Sequence, residues 1–304
     1  MTESPLARGT LWPAILRVTE HALRCGALHP IETIRTTIED SGVHFLIRQV
    51  SSLARKQEDQ QRHKAQPAGG HKVNPFLPYD PALFVADLSE THLALLNKFN
   101  VIDHHLLIVT RRFEPQEALL NPGDFDALFN CMAEFDGLGF YNGGAAAGAS
   151  QAHKHLQIVP LPLGESGPPL PIEPLIAAAS TEGTVGAVGT VPGLPFLHAL
   201  ARLEPLIAPR PLEMARHAFD LYRALLDATG LQAIDIDGEP HQSAAYNLLV
   251  TTRWMLLVPR RAECVDGIAV NALGFAGSLF VRDGAQLEAV RSLGPMNVLQ
   301  RAAG

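Results

Sequence analysis

The chain has 304 residues, enough for one large or two modest domains, and is 47% hydrophobic against 18% charged, which supplies a sizeable core and excludes intrinsic disorder. Its net charge of −7 and isoelectric point near 6.0 argue against a nucleic-acid binder, so any phosphate site must be a local patch. Three cysteines, Cys25, Cys131 and Cys264, are widely spaced and odd in number; they form no disulfide framework and fit a reducing compartment. The N-terminal residues show no signal-peptide layout and no apolar run approaches a membrane span, so a cytoplasmic protein is expected.

Leu11, Ile15, Val18, Ala22 and Leu23 recur at helical spacing and predict an amphipathic helix over 11–26. Residues 32–40 fit neither period. VHFLIRQVSSL at 43–53 is rich in strand formers and is the first predicted strand. Residues 56–72 are polar and read as a long loop whose basic residues Lys56, Arg62, Lys64 and Lys72 could meet a polyphosphate. Asn74-Pro75-Phe76 and Pro78 mark an extended turn. LALLNKFNVIDHHLLIVTRR at 93–112 holds two strands with Asp103-His104-His105 at the turn; both histidines are read as exposed and without chemistry. Asn121-Pro122-Gly123-Asp124 opens a helix with cap-type residues. Phe125, Leu128, Phe129, Met132 and Phe135 form its buried stripe, and Gly137 and Gly139 are expected to end it.

Next comes YNGGAAAGASQAHKHLQIVPLP, residues 141–162. Gly143, Gly144 and Gly148 permit close backbone approaches, and consecutive N–H groups in such a loop can cradle phosphate oxygens. Beyond it the pattern alternates. His153, His155 and Gln157 fall at i, i+2 and i+4 and share one face of a strand, while Lys154, Leu156 and Ile158 take the other. A phosphate-holding loop beside two imidazoles points to phosphorus chemistry with a histidine nucleophile.

Residues 164–194 are rich in Pro, Gly, Ala and Thr, and 166–194 read as a linker or surface excursion between 1–165 and 195–304. Helical spacing returns at Ala215, Ala218, Phe219, Tyr222, Leu225 and Leu226 and stops at Gly230; residues 243–260 and 271–282 are strand-like. The halves echo one another. DHHLLIVTRR at 103–112 aligns without gaps on TRWMLLVPRR at 252–261, and Asn142-x5-Gly148-Ala149 on Asn271-x5-Gly277-Ser278, which predicts a degenerate duplication.

The stretch Asn142, Gly148, Ser150, Gln151 and His153-Lys154-His155-Leu156-Gln157 resembles the active-site motif of the histidine-triad superfamily, in the nucleotidyltransferase branch with Gln at its end, and matches the diadenosine tetraphosphate phosphorylase (ATP adenylyltransferase) family nearly letter for letter. Tyr246, Asn247, Leu249, Thr251, Trp254, Val258, Pro259 and Arg260 match that family's second hairpin. The resemblance implies an α+β, HIT-like fold, an antiparallel sheet with flanking helices made of two degenerate HIT-like halves in one chain. It implies His155 as nucleophile, forming an adenylyl-histidine and releasing ATP, which inorganic phosphate then resolves to ADP. His153 would orient His155 or hold a metal, Ser150 and Gln151 would donate to phosphate oxygens, and Gln157 would donate an amide N–H without acting as acid or base. Lys56, Asn97, Lys98, Asn142, Gly148, Ala149, Gln151, Asn247, Thr252 and Arg253 are the implied nucleotide contacts. For Thr252 and Arg253 a plain strand end is an equal alternative. A divalent cation, Mg2+ first, would be held mainly by substrate phosphates, with no dedicated protein cage. The implied partners are diadenosine tetraphosphate, ATP, ADP and phosphate, with no nucleic acid or membrane, in a monomer or small homo-oligomer.

Four alternatives remain. A hexose-1-phosphate uridylyltransferase would read His-Pro-His in place of His153-Lys154-His155. A dinucleoside polyphosphate hydrolase is disfavoured by Gln157. A non-catalytic protein could use the histidine pair as metal ligands, but no further ligands lie at standard spacing. A nucleotide-binding regulator would have a dead site.

Overall fold

A computed structural model describes residues 7–51, 74–179, 188–203 and 211–304. The predicted first helix is α1 (Leu11–Cys25), stopped by Gly26 in the left-handed region at φ 74°. Residues 32–40, which showed no period, supply β1 (Thr33–Asp40), antiparallel to β2 (Val43–Val50). β1 lies at a sheet edge with Ile34 60% exposed, so little apolar alternation was there to be seen. After β3 (Phe84–Asp87), β4 (His92–Leu96) and β5 (Leu106–Thr110) comes α2 (Pro122–Met132). Its start is the predicted cap. The Asn121 side chain accepts from Gly123 and Asp124 N–H, and Asp124 Oδ2 accepts from Asn121 N–H at 2.7 Å. Gly137 and Gly139 do not end this helix; they lie in a separate strand, β6 (Gly137–Gly143). A Cβ on Gly139 would stand 2.7 Å from Leu128 Cδ1, so glycine lets α2 lie close against the strand.

The motif strand is β7 (His155–Pro160). It is followed by α3 (Glu173–Ala178), β8 (Val188–Gly189), β9 (Ala199–Arg202) and α4 (Pro211–Ala228). Next are the hairpin β10 (Ala233–Ile236) and β11 (Glu239–Gln242), the hairpin β12 (Tyr246–Val250) and β13 (Trp254–Pro259), and the short pair β14 (Cys264–Val265) and β15 (Ile268–Ala269). The stretch 271–282 is only partly strand. Asn271 caps α5 (Ala272–Phe275) by accepting from Leu273 N–H at 3.0 Å, and only β16 (Ser278–Val281) is extended, parallel to β2. The chain closes with α6 (Gly284–Leu293) and α7 (Pro295–Ala302).

Among the described residues nine strands form one antiparallel sheet in the order β3-β4-β5-β7-β6-β12-β13-β9-β8. Period-2 alternation divides its side chains between two cores. Leu106, Ile108, Tyr141, Leu156, Ile158, Leu248 and Leu257 share a core with residues of α1, α2 and α4. Leu138, Phe140, Val159, Leu249, Leu256 and Val258 share the other with residues of β2, β16, α3, α5, α6 and α7. Val188 packs on the first core, but most of the buried residues described within 164–194 belong to the second. Leu170, Ile172, Ile176, Ala179, Val191 and Leu194 are buried in it, so the described part of the segment is no surface linker. Its large apolar residues are few, but they are turned inward over the sheet.

The architecture is α+β and repeats itself. The succession α2-β6-β7 returns as α4-β12-β13 with the β10–β11 hairpin inserted after α4, β6 pairs with β12 at the middle of the sheet, and Gly137 opposite Pro160 is answered by Tyr246 opposite Pro259. β13 therefore takes the place of β7. The gap-free match of 103–112 to 252–261 sets it on β5 instead, one strand too far, because an all-apolar buried strand carries no record of its neighbour. Asn142 and Asn271 do share local form: each precedes a short helical turn and a positive-φ glycine, Gly148 at 89° and Gly277 at 92°.

Candidate active site

Strands β6 and β7 pair as far as Phe140 opposite Gln157 and then part around the glycine loop. Gln116 fills the gap. Its Oε1 accepts from His155 N–H at 2.9 Å, and its Nε2 donates to the carbonyls of Asn142 at 2.9 Å and His155 at 3.2 Å. One side-chain amide thus replaces the missing strand pairing at the predicted nucleophile. The loop rests against the second half, since a Cβ on Gly148 would lie 2.9 Å from Asn271 Cβ and 3.0 Å from the Val270 carbonyl oxygen. Asn142 Oδ1 accepts from Asn247 Nδ2 at 2.8 Å and from Ala272 N–H at 3.0 Å. With its oxygen so engaged, Asn142 keeps Nδ2 as a donor for the cavity that it lines. Asn247 is completely buried and acts through Asn142, with its own oxygen accepting from Arg260.

His155 is 4% exposed. Its Nδ1–H donates to the His153 carbonyl oxygen at 2.8 Å, which leaves the Nε2 lone pair without a partner among the described residues. Burial lowers its pKa to about 4, so the ring is neutral near pH 7. The His153 ring is spoken for elsewhere. Its Nε2–H donates to the Thr110 carbonyl oxygen at 2.8 Å, and its Nδ1 accepts from Asn74 Nδ2 at 3.0 Å. The orientation of His155 comes from the backbone of residue 153, while the ring secures the segment to β5 and to the Asn74-Pro75-Phe76 turn. Phe76 packs on both rings, at 5.5 Å from His153 and 5.3 Å from His155.

These groups border a cavity of about 720 Å³, lined by Asn142, Gly148, Ser150, Gln151, His155 and Gln157 of the motif, and also by Asn97 and Lys98. Pro75, Phe76 and Pro78 line it too, as expected of that turn, and Val270, Asn271 and Phe280 bring in the second half. His153, Ala149 and Asn247 stand outside the lining. Thr252 and Arg253 are not at this site at all. They line a separate cavity of about 550 Å³ with Phe129, Met132 and Met214, and Arg253 ion-pairs with Glu173. The hairpin turn between β12 and β13 points away because β12 runs antiparallel to β6: Asn247 lies opposite Asn142, but Val250, where the turn begins, lies opposite Gly139 at the far end of β6. Lys56 lies outside the described residues.

His105 corrects the sequence reading. It is 8% exposed, lines the cavity, and bonds Gln157 Oε1 through Nε2 at 3.0 Å and Asn97 Nδ2 through Nδ1 at 3.2 Å. Burial, with a smaller push from His155, lowers its pKa to about 4 despite the bond to Gln157. Reading DHH as a turn hid the fact that the turn ends one residue earlier. His104 does sit in it, with φ 58°, but it is half-buried against Trp12 of α1 and not exposed. Gln116 was likewise missed, and no local pattern marks it.

Lys154 lies on the opposite face of the motif and is 1% exposed. Its Nζ is 2.7 Å from Asp124 and 3.1 Å from Glu114, and donates to the Leu119 carbonyl at 3.0 Å. Asp124 also accepts from His92 Nε2 at 3.0 Å. Burial alone would raise the Asp124 pKa; the His92 bond and the Lys154 charge outweigh it and hold the carboxyl below its ordinary value. The middle of the HKH motif is therefore a structural tie between β7 and the start of α2.

The family model described as the Ap4A phosphorylase N-terminal domain matches residues 1–178, and the one described as the ATP adenylyltransferase C-terminal domain matches residues 192–303. Among curated relatives, diadenosine 5',5'''-P1,P4-tetraphosphate phosphorylase 2 of Saccharomyces cerevisiae is 29% identical over 64% of this chain and 63% of its own length, so the match spans under two thirds of that relative. Protein APA1 of the same yeast is 26% identical over 83% of this chain and 80% of its own. The crystal structure of yeast Ap4A phosphorylase Apa2 superposes with a TM-score of 0.77 at 23% identity, covering 100% of this chain and 98% of that one; its complex with Ap4A gives 0.75 at 22%, covering 100% and 98%. The fold is shared along the whole chain, and with the N-terminal family model covering more than half of it, the chain belongs to the Ap4A phosphorylase (ATP adenylyltransferase) family of nucleotidyltransferases.

Proposed function

We propose that this enzyme cleaves diadenosine tetraphosphate by phosphorolysis, reversibly, to ATP and ADP. The observation that carries the reading is the state of His155, a neutral ring whose Nδ1–H is tied to a backbone carbonyl and whose Nε2 lone pair is free at the cavity. Nε2 attacks an α-phosphorus; the P–N bond forms as the bond to the bridging oxygen breaks, and ATP leaves. The positive charge that the imidazole acquires is stabilised by the same Nδ1–H···O=C bond. Inorganic phosphate then attacks the adenylyl-histidine, ADP forms, and Nε2 recovers its lone pair.

Asn142 Nδ2, Ser150, Gln151 and the Gln157 amide are the donors available for phosphate oxygens at that point. Lys98, at the cavity, adds a positive charge for the polyphosphate tail. Gln157 has no titratable group, so nothing at its position draws a proton from water, and the intermediate is left to phosphate. Asp80 and Glu263 are the carboxylates among the lining residues, and no cluster of three or more His, Cys, Asp or Glu suited to a metal occurs among the described residues. With so few carboxylates, a Mg2+ ion would arrive on the nucleotide and be held mainly by its phosphates, with Asp80 and Glu263 as the protein oxygens available to it, and it would supply charge neutralisation. Among the described residues no helix is long and apolar enough to cross a membrane, and the reading is of a cytoplasmic enzyme, monomer or small homo-oligomer.

The test is product analysis with and without phosphate. ATP and ADP in equal amounts, formed only when phosphate is present, are expected. ATP and AMP at the same rate in phosphate-free buffer would make the protein a hydrolase.

A further inference from the structure

Asn97 and Gln157 carry carboxamides that could stand either way round, and the bonds about them choose. Phe99 N–H donates to Asn97 Oδ1 at 3.2 Å, so Asn97 Nδ2 is the atom facing His105 Nδ1, also at 3.2 Å. An amide NH2 only donates, so Nδ1 accepts, and the single proton of the neutral ring sits on Nε2. Nε2–H in turn only donates, and its partner 3.0 Å away is Gln157 Oε1. The Gln157 NH2 is thereby turned away from His105, on a side chain that lines the cavity beside His155.

We propose that His105 is a positioning residue for adenylyl transfer: a relay from the Phe99 backbone through Asn97 and His105 locks Gln157 as a hydrogen-bond donor toward the reacting phosphate. Turned the other way, Gln157 would present a carbonyl oxygen to an anionic phosphate, and the donor would be replaced by a repulsion. The relay also gives Asn97 work other than nucleotide contact, since both ends of its amide are engaged within the protein. The inference rests on the adenylyl-transfer reading of the site.

Two measurements test it. In ligand-free protein, 15N NMR of the histidine side chains should find His105 as the Nε2–H tautomer; an Nδ1–H tautomer would overturn the relay. This measurement needs no substrate, so it judges the relay separately from the reaction. In single-turnover adenylylation with diadenosine tetraphosphate, His105→Phe should lower the rate constant on the order of tenfold to a hundredfold, short of losing a whole oxyanion donor. The half-saturating concentration should barely change. His105→Gln, able to accept from Asn97 and donate to Gln157, should recover part of the rate. In a Gln157→Ala background His105→Phe should cost nothing further, because its route is already gone. An equal fold-loss in both backgrounds would overturn the proposal. Should His105→Phe fail to fold, Asn97→Leu breaks the same relay one bond earlier: a rate loss confined to the Gln157 background supports it, and an equal loss in both backgrounds overturns it.

Discussion

An imidazole is a nucleophile only while one nitrogen keeps its lone pair, and two features hold His155 in that state. The bond from Nδ1 to the His153 carbonyl sets the tautomer, and burial lowers the pKa to about 4. Adenylylation measured in single turnover without phosphate should therefore be flat from about pH 8 to about pH 5 and fall only below that, with label found on His155 and absent from His155→Asn. An inflection near the ordinary histidine value, or label on His153, would contradict the assignment. Stability follows with a definite sign. The folded forms of His105 and His155 resist protons that the unfolded chain takes up, so the stability present above about pH 6.5 should drain away as pH falls toward about 4. The midpoint of urea unfolding at pH 7 and pH 5 reads this directly.

At the scale of elements, the HKH sequence faces two ways. His155 lines the cleft and the His153 ring holds Thr110 and Asn74, while Lys154 joins β7 to the N-terminus of α2 through Asp124, which also completes the helix cap. Lys154→Met keeps the length of the side chain and leaves the Asp124 carboxylate buried without its cation, with His92 as its remaining side-chain partner. The expected result is a loss of about 3 kcal/mol and a lower Tm, with adenylylation retained by the folded protein in the cold. Unchanged stability with no turnover would instead give Lys154 a part in the chemistry. The cleft itself exists because β6 and β7 separate beyond Phe140 and Gln157, and Gln116 keeps His155 in strand form there.

For the molecule as a whole, the second half is a wall of the first half's site. Asn247 and Ala272 hold Asn142, Asn271 backs Gly148, and β12 covers the edge of β6. A fragment ending at Pro162 should be insoluble or inactive, since it bares that edge and frees Asn142 to turn. Full phosphorolytic activity from the fragment would show that the halves are independent.

The amino-acid sequence by itself marked His155 as the candidate nucleophile, and it determined the glycine loop, the capped start of α2 and the alternation of the motif strand. Each of these rests on residues a few positions apart, so local geometry suffices to express them. Tertiary structure alone decided what His105, Gln116 and Lys154 do, since their partners lie 52, 39 and 30 positions away at Gln157, His155 and Asp124. It also decided the pairing of the halves. The echo in the sequence was real, but buried strands of similar composition can be slid past one another, and only the register of β6 against β7 and of β12 against β13 shows which strand answers which. Thr252 and Arg253 fell outside the site because β12, antiparallel to β6, carries them to the end of the sheet away from Asn142. A strand's apolar residues state that it is buried, and its hydrogen-bonded neighbours state where.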